Sequence, residues 1–342
     1  MTGALMAAEM AEQPEVLARV TARGPVDAEL VRKVVPRPLA GIVFLARGSS
    51  DNAAVFGRYL AELRAARPAG LAAPSLYTRY HAAVDWHGYL VVALSQSGAT
   101  PEIISTCEAM RAGGAVVLGI SNEPGSPLAD AVDLLLTTDA GPERAVPATK
   151  TVTAQLAVLA TVTSALRAMP GPGRAPGAVP WPGSTLAGLP GAVAAVLGEP
   201  GPVRQLADRW QGLDRLVVAG RGLAYAAALE TALKVKETTG ILAEGISTAD
   251  LLHGPIAAVY AGAPVLLVDG GGPADTDLAE LRALLASRQA RLASLPVPGG
   301  LSEEVHVIAA VTRGQQLAYE LARARHLDPD APAHLSKVTA TT

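Results

Sequence analysis

The chain has 342 residues, of which 50% are hydrophobic and 17% are charged, and its formal net charge is -3. This length allows two domains, because a domain commonly has roughly 100 to 200 residues. The charge balance and the lack of Lys/Arg clusters argue against binding to nucleic acid or to an anionic membrane, and favour a metabolite as partner. A single cysteine, Cys107, excludes an internal disulfide and is typical of a reducing compartment.

The N-terminal segment shows no secretory signal, because residues 1–10 lack a basic region and Glu9 and Glu12 interrupt the apolar residues. We therefore expect a cytoplasmic protein. We also expect an N-terminal helix over residues 1–24. The uncharged stretch 151–166 is shorter than the roughly 18 to 20 residues of a membrane span, so it predicts a buried helix.

The stretch 95–100, Ser-Gln-Ser-Gly-Ala-Thr, follows the apolar run 90–94 and precedes Pro101. The apolar run predicts a buried strand, and a proline at the first helical position predicts a helix directly after the loop. Hydroxyl groups and unpaired N–H groups at a helix start together form a cradle for phosphate. The alternative is an ordinary N-cap and turn, since Ser, Thr and Gly are common there.

The two halves of the chain resemble each other, and matching residues are always separated by the same number of positions, as Gly48 is from Gly222. We call this constant separation the repeat offset. Two pairs of apolar segments match at this offset: 42–48 with 216–222, and 91–94 with 265–268. Each half continues with a predicted helix and a predicted strand: 101–112 and 115–120 in the first half, 275–289 and 291–295 in the second. This alternation predicts parallel sheets that are covered on both faces. The fold class is therefore α/β, with two doubly wound, three-layer α/β/α domains in tandem.

Proline and glycine are dense between the halves, which predicts an extended, non-helical linker. The prolines concerned are Pro170, Pro172, Pro176, Pro180, Pro182 and Pro190. The predicted organisation is an N-terminal helix, a first domain, a linker, a second domain and a C-terminal tail: 1–24, 25–168, 169–192, 193–325 and 326–342.

The halves differ where the first has Ser-Gln-Ser at 95–97 and the second has Asp-Gly-Gly at 269–271, with Gly98 aligned to Gly272. The carboxylate of Asp269 would repel a phosphate, so we expect only the first half to bind one. Ligands of parallel sheets bind beyond the carboxyl ends of the strands. Ser50 and the 95–100 loop should therefore open onto one crevice.

Lysine is rare, which makes each lysine informative; the five are Lys33, Lys150, Lys234, Lys236 and Lys337. An amine can form a Schiff base or move a proton, whereas a guanidinium cannot do so near neutral pH. Glu230, Lys234 and Glu237 are spaced i, i+4 and i+7, so they share one stripe of a predicted helix. Lys236 points elsewhere. The alternative for both lysines of this helix is a solvated surface.

Six ordered motifs together resemble a tandem sugar-isomerase (SIS) domain protein, in particular the isomerase half of glucosamine-6-phosphate synthase and the SIS-type glucosamine-6-phosphate deaminases. The motifs are Gly-Ser-Ser-Asp-Asn-Ala at 48–53, Ser-Gln-Ser-Gly at 95–98, Ala-Thr-Lys at 148–150, Leu-Glu-Thr-Ala-Leu-Lys-Val-Lys-Glu at 229–237, His-Gly-Pro at 253–255 and Leu-Ser-Lys at 335–337. The resemblance covers nearly the whole chain.

The resemblance implies a role for each matching residue. The implied substrate-binding residues are Ser50, Ser95, Gln96, Ser97, Thr100, Val146 and Ser336. Of the implied catalytic residues, Glu237 would move the proton between C1 and C2, and Lys234 would stabilise the charge of the enediol-type intermediate. His253 would assist ring opening from the neighbouring subunit of a homodimer, and Lys337 would reach the carbonyl.

This chemistry needs one base and a fixed cationic or hydrogen-bonding group, so we expect no metal and no cofactor. The other histidines are expected to be structural: His81, His87, His306, His326 and His334. We also expect no glutaminase domain, because the chain starts with a short helix near Thr2 rather than with a catalytic cysteine.

Three functions remain open at this point. The first is conversion of glucosamine 6-phosphate to fructose 6-phosphate and ammonia. The second keeps the same site but acts on N-acetylglucosamine 6-phosphate, where abstraction of the C2 proton would expel the C3 hydroxyl as water. The third is a sugar-phosphate sensor without catalysis, against which the presence of Glu237, Lys234 and Lys337 argues.

Overall fold

A computed structural model describes residues 2–169 and 186–337. Its strands are β1 (Gly41–Leu45), β2 (Ala69–Leu71), β3 (Tyr89–Leu94), β4 (Val116–Ser121), β5 (Leu134–Thr137), β6 (Arg215–Gly220), β7 (Leu242–Ser247), β8 (Pro264–Val268) and β9 (Arg291–Ser294). None of the helices in these two ranges is long and apolar enough to cross a membrane.

The helices are α1 (Ala4–Ala11), α2 (Gln13–Val34), α3 (Ser49–Leu63), α4 (Ser75–Thr78), α5 (Pro101–Ala112), α6 (Pro127–Ala131), α7 (Lys150–Arg167), α8 (Leu189–Gly198), α9 (Gly201–Trp210), α10 (Ala224–Thr239), α11 (Thr248–Leu252), α12 (Asp275–Ser287) and α13 (Glu303–Ala324). A 3₁₀ turn covers Pro255–Ala258. The buried helix predicted over 151–166 is confirmed as α7, whose residues 151–163 are all buried.

The chain divides into two compact units. The N-sheet unit contains residues 16–141 and 154–169, and the C-sheet unit contains residues 2–15, 142–153 and 186–337. The C-sheet unit therefore draws on three separate stretches of the chain. The predicted domains are consecutive ranges of the chain, whereas these compact units combine separate stretches. The predicted domain boundaries therefore stay a prediction.

The N-sheet unit contains a five-stranded parallel sheet in the order β2-β1-β3-β4-β5. Alternate residues of its strands face opposite sides. Val91 and Ala93 pack on one side with α5, where Cys107 is fully buried. On the other side, Phe44 lies against Gly57 of α3, and the side chain of Leu159 in α7 borders the same position.

The C-sheet unit contains a four-stranded parallel sheet in the order β7-β6-β8-β9. Val265 and Leu267 pack on one side against Leu281 and its neighbours in α12. Helices α10 and α13 pack together so closely that a Cβ on Gly314 would lie 2.1 Å from the Thr231 hydroxyl. Each sheet is thus a layer of an α/β/α sandwich, and the predicted fold class is confirmed.

Two local predictions from the sequence were wrong. The expected single helix over 1–24 is two helices, α1 and α2, with Glu12 between them; Pro14 lies in the first turn of α2, where its missing N–H costs no helical hydrogen bond. For the same reason Pro190, expected in the extended linker, lies in the first turn of α8. Residues 170–185 of that predicted linker lie outside the described residues.

The loops after β3 and β8 differ in the position of their left-handed glycine. Gly98 has a φ of 60°, but its aligned partner Gly272 does not have a positive φ; Gly271 does, at 66°. The loop after β8 therefore reaches its left-handed residue one position earlier than the loop after β3. The repeat offset holds for the strands and not for this turn.

Candidate active site

The loop between β3 and α5 is fastened by its own hydroxyl groups. The Ser95 hydroxyl accepts the N–H of Gly98 at 3.1 Å and lies 3.5 Å from the Thr100 hydroxyl, while the Ser97 hydroxyl accepts the N–H of Ala99 at 3.3 Å. Thr100 is the N-cap residue of α5, and Pro101 occupies the first turn, as predicted. The loop thus combines three hydroxyl groups with the N-terminus of a 12-residue helix.

The backbone of this loop requires glycine at position 98. Its φ of 60° lies in the left-handed region, and a Cβ there would lie 2.0 Å from the Ser126 hydroxyl oxygen. The Gln96 carbonyl accepts the N–H of Asn122 at 3.1 Å, which ties the loop to the end of β4. The Gln96 side chain itself is half-buried.

The loop after β1 lies beside this cradle, because β1 and β3 are paired neighbours in the sheet. Ser50 is buried in the first turn of α3. Arg47 makes a bidentate ion pair with Glu102 in the first turn of α5, with N–O distances of 2.9 and 3.0 Å. Burial raises the pKa of the Asp51 carboxyl, and the charge of Arg47 opposes that shift. This ion pair therefore links the loop after β1 to the first turn of α5.

In the C-sheet unit the corresponding loop carries different groups. Asp269 pairs with the imidazole of His306 at 2.5 Å, and the N–H of Gly270 donates to Asp275 at 2.9 Å. This loop therefore presents carboxylates where the N-sheet unit presents hydroxyls. The contrast agrees with the expectation that only the first loop suits an anion.

The predicted stripe of α10 forms a buried ionic cluster. The Lys234 ammonium donates to the Glu237 carboxylate through a very short hydrogen bond and lies 3.6 Å from the Glu230 carboxylate. The side chains of Lys234 and Glu230 are each 1% exposed, whereas that of Glu237 is 22% exposed. Lys236 is exposed on another side of the helix, as predicted. Glu237 is thus the member of the cluster that reaches the surface.

The two carboxylates keep Lys234 protonated. Burial by itself would lower the pKa of its amine, but the charges of Glu230 and Glu237 outweigh burial, with a smaller contribution from Glu143, and the pKa is raised. A lysine that stays cationic at neutral pH can stabilise an oxyanion but cannot act as a base. This supports charge stabilisation, rather than proton abstraction, as the role of Lys234.

Lys337, in the C-terminal tail, pairs with a residue that the sequence reasoning missed. Its ammonium donates to the buried Glu143 carboxylate at 2.8 Å. Glu143 lies in the 142–153 segment of the same unit as α10. One signal could have found it, because Glu143 is the sole glutamate between Glu123 and Glu199.

Val146, in the same segment, is held by backbone bonds. Its N–H donates to the carbonyl of Asp330 at 3.0 Å. The carboxylate of Asp330 in turn accepts the N–H groups of Leu5 and Met6 at the start of α1, at 2.9 and 2.8 Å. An acidic group at a helix N-terminus is favourable. The tail, α1 and the Val146 segment are thereby fixed to one another.

His253 and Ser336 both lie exposed at the surface. His253 ends α11, and within residues 2–169 and 186–337 its imidazole makes no hydrogen bond to the other predicted site residues. In the same two ranges, no group of three or more His, Cys, Asp or Glu side chains is arranged to hold a metal ion.

Comparison with known proteins identifies the family. The family model described as the SIS domain matches residues 40–165 and 212–295, which include both sheets. The chain belongs to the SIS domain family. This confirms the resemblance based on the six motifs, and the matched SIS segments begin one residue before β1 and three residues before β6.

Two curated relatives of this SIS protein are glutamine–fructose-6-phosphate aminotransferases (isomerizing). The one from Thermococcus kodakarensis is 32% identical over 310 residues, covering 86% of this chain and 51% of the relative. The one from Symbiobacterium thermophilum is 33% identical over 362 aligned positions, covering 97% of this chain and 58% of the relative. The chain thus spans a little over half the length of these relatives.

Solved structures show the same SIS fold. A protein from Silicibacter pomeroyi, described as a candidate phosphosugar isomerase, has a TM-score of 0.82 at 29% identity and covers 96% of this chain and 100% of its own. The glucosamine-6-phosphate deaminase from Thermotoga maritima has a TM-score of 0.75 at 20% identity, with 99% and 100% covered. At that identity the second comparison concerns the fold alone.

Proposed function

We propose that this SIS protein converts glucosamine 6-phosphate and water to fructose 6-phosphate and ammonia. The observation that carries the proposal is the α10 cluster, in which a carboxylate at the surface, Glu237, is backed by a buried ammonium, Lys234, that stays charged. Isomerisation of a sugar needs this combination of a base and a fixed positive charge.

The proposed reaction begins on the open-chain aldehyde. Glu237 takes the proton from C2, and the electron pair moves to form an enolamine while Lys234 stabilises the negative charge on the C1 oxygen. Glu237 returns the proton to C1 and one N–H proton of the amine passes to the C1 oxygen, which leaves an imine at C2 and a hydroxyl at C1. Water then adds to the imine and ammonia departs, so the atoms balance without an oxidant or reductant.

The proposal assigns phosphate binding to the β3–α5 loop. Its hydroxyls on Ser95, Ser97 and Thr100, together with the N-terminus of α5, suit a dianionic ester. Gln96 is proposed to bind the phosphate together with these groups, and Ser50 is proposed to face the sugar. Val146 and Ser336 are proposed as further substrate contacts, and Lys337 as the group that reaches the carbonyl.

His253 is proposed to act across a homodimer, because its imidazole is exposed and makes no bond to the α10 cluster. A complementation experiment tests this. Mixed and re-assembled subunits of Glu237→Gln and His253→Asn should regain activity that neither variant has alone. Activity that never returns on mixing would place His253 in the same subunit as its Glu237.

The reaction itself is tested with purified protein and glucosamine 6-phosphate. We expect release of ammonia and the mass of fructose 6-phosphate. In a parallel reaction with N-acetylglucosamine 6-phosphate, loss of one water would support the dehydratase instead. Binding of either ester with no change of mass, unaffected by Glu237→Gln, would support a sensor.

A further inference from the structure

Glu143 is a buried carboxylate with four donors. One oxygen accepts the N–H groups of Thr149 and Thr151 at 2.9 and 3.1 Å. The other oxygen accepts the Thr151 hydroxyl and the Lys337 ammonium, each at 2.8 Å. The Glu143 side chain is 0% exposed. Each oxygen of the Glu143 carboxylate therefore accepts two hydrogen bonds.

Three of these donors come from the start of α7, within eight residues of Glu143. They orient the carboxylate by local structure alone. The fourth donor, Lys337, is 194 residues away in sequence, and it brings the positive charge. A buried carboxylate that lost this charge would keep its neutral donors but lose its ion-pair partner.

A second lysine–carboxylate pair in the same unit has the opposite arrangement. Lys150 pairs with Glu12 at 2.6 Å, and there the lysine side chain is 1% exposed while the carboxylate is 50% exposed. In the Lys337 pair the carboxylate is buried and the lysine side chain is 22% exposed. The amine that a ligand can reach is therefore the one on Lys337.

The described part of the tail that carries Lys337 is held near its start and at Lys337. Asp330 is fixed to the N-terminus of α1 and to Val146, and Lys337 is fixed to Glu143. Of these contacts, the amine itself takes part only in the one between Lys337 and Glu143, so its position depends on that contact rather than on the contacts of Asp330. The start of the tail has a further contact, because the Asp328 carboxylate accepts the N–H of Gly3 at 3.1 Å, whereas the ion pair with Glu143 fixes the amine itself.

We propose that Glu143 is a positioning residue, which docks the Lys337 ammonium and so determines where the C-terminal tail presents this amine to a sugar phosphate. The effect on turnover rests on the proposed function. The docking itself does not, and the two are tested by separate measurements.

The docking is tested by brief acylation of lysine amines in the folded protein, followed by mass spectrometry of the peptides. Glu143→Gln should increase the labelling rate of Lys337 roughly three- to tenfold, because a charge-assisted bond of the amine is lost. The glutamine still accepts the N–H groups of the α7 start, so folding should persist. The exposed amine of Lys236 serves as internal reference.

The matched control is Glu12→Gln, which removes a carboxylate from the other lysine pair of this unit. It should leave the labelling of Lys337 unchanged. An unchanged labelling rate of Lys337 in Glu143→Gln, with normal thermal unfolding, would overturn the proposal. Equal increases in both variants would also overturn it, because they would report general loosening.

The effect on turnover is tested by a double-mutant cycle with Lys337→Met. If Glu143 acts through Lys337, Glu143→Gln should lower kcat more than it changes KM, and should have no further effect once Lys337 is methionine. Independent, multiplying losses would contradict positioning. If the wild-type protein converts no sugar phosphate, the proposed function fails, and the labelling experiment still decides the docking.

Discussion

The two sheets share one strand order around their first strand but differ in the loops and helices that follow. In the N-sheet unit, the loop after β3 is rich in hydroxyls. In the C-sheet unit, the loop after β8 carries Asp269, and the buried ionic cluster lies on α10 instead. The proposed anion-binding and proton-transfer groups therefore belong to two versions of one architecture.

The difference between the two units is clearest in the helix that follows the first strand of each half, α3 after β1 and α10 after β6. At the repeat offset, Glu230 and Lys234 of α10 correspond to Phe56 and Leu60 of α3. Phe56 and Leu60 are both 0% exposed, so this helix position folds well with apolar residues. Buried charges cost free energy unless they are paired. Their presence in α10 therefore indicates function rather than a requirement of the fold.

The largest expected effect comes from removing the charge of the buried lysine. Lys234→Met should lower the free energy of unfolding by about 3 to 5 kcal/mol, because carboxylates are left buried without their partner. Adding Glu230→Leu, which makes the pair apolar as in α3, should restore much of this loss. Urea unfolding followed by circular dichroism measures both.

The control for this prediction is Lys236→Met on the exposed side of α10, which should change the free energy of unfolding by no more than about 0.5 kcal/mol. If Lys234→Met were as mild as this control, the cluster would not be the buried ionic group described above.

The next largest effect comes from placing the chemistry of one loop into the other. Ser97→Asp puts a carboxylate into the hydroxyl loop and should raise KM for a sugar phosphate roughly a hundredfold, because like charges are brought together in the cradle. The counterpart Asp269→Ser in the C-sheet unit should leave KM unchanged. Steady-state kinetics of both variants compares the two loops directly. Equal changes of KM in the two variants would contradict the proposal that only the loop after β3 binds the phosphate.

Much of this comparison could be predicted from the sequence. The internal repeat, the hydroxyl loop at 95–100 and the stripe of α10 all depend on local patterns, which determine strands, turns and helix faces. These patterns predicted β1, β3 and β4 of the first sheet and β6, β8 and β9 of the second, as well as the shared helix face of Lys234 and Glu237, but not β2, β5 or β7. The reason is that neighbouring residues on one helix face meet whatever the rest of the chain does.

Contacts between distant segments could not be predicted in this way. Glu143 and Lys337 are far apart in the chain, and nothing local to either residue indicates the other. The same holds for Asp330 at the start of α1. The left-handed glycine of the second loop is Gly271 and not Gly272, the residue that aligns with Gly98, because alignment of two strands does not determine the conformation of the turn that follows.

The smallest predicted effect compares two core positions. Cys107 in α5 corresponds to Leu281 in α12 at the same repeat offset, and both are buried. Burial, with a smaller contribution from the charge of Glu108, raises the pKa of the Cys107 thiol from 9.0 to about 12. The folded protein therefore holds this proton more tightly than the unfolded chain.

Because of this shift, the contribution of Cys107 to stability is complete below pH 9.0 and is lost as the pH rises toward about 12. The free energy of unfolding should fall by about 1 kcal/mol more between about pH 8 and about pH 10 in the wild type than in Cys107→Val. Urea titrations at the two pH values check this. Identical pH dependence in both proteins would show that the thiol titrates normally.

We propose that the N-sheet unit supplies the phosphate-binding loop and that the C-sheet unit supplies the base Glu237. Hydrogen exchange at the sugar tests the role of this base most directly. In D₂O the wild type should convert glucosamine 6-phosphate to fructose 6-phosphate that carries deuterium at C1, detected by NMR. Glu237→Gln should bind the ester with unchanged affinity while deuterium incorporation falls by about 10² to 10⁴-fold. Deuterium incorporation at the wild-type rate in Glu237→Gln would contradict the account.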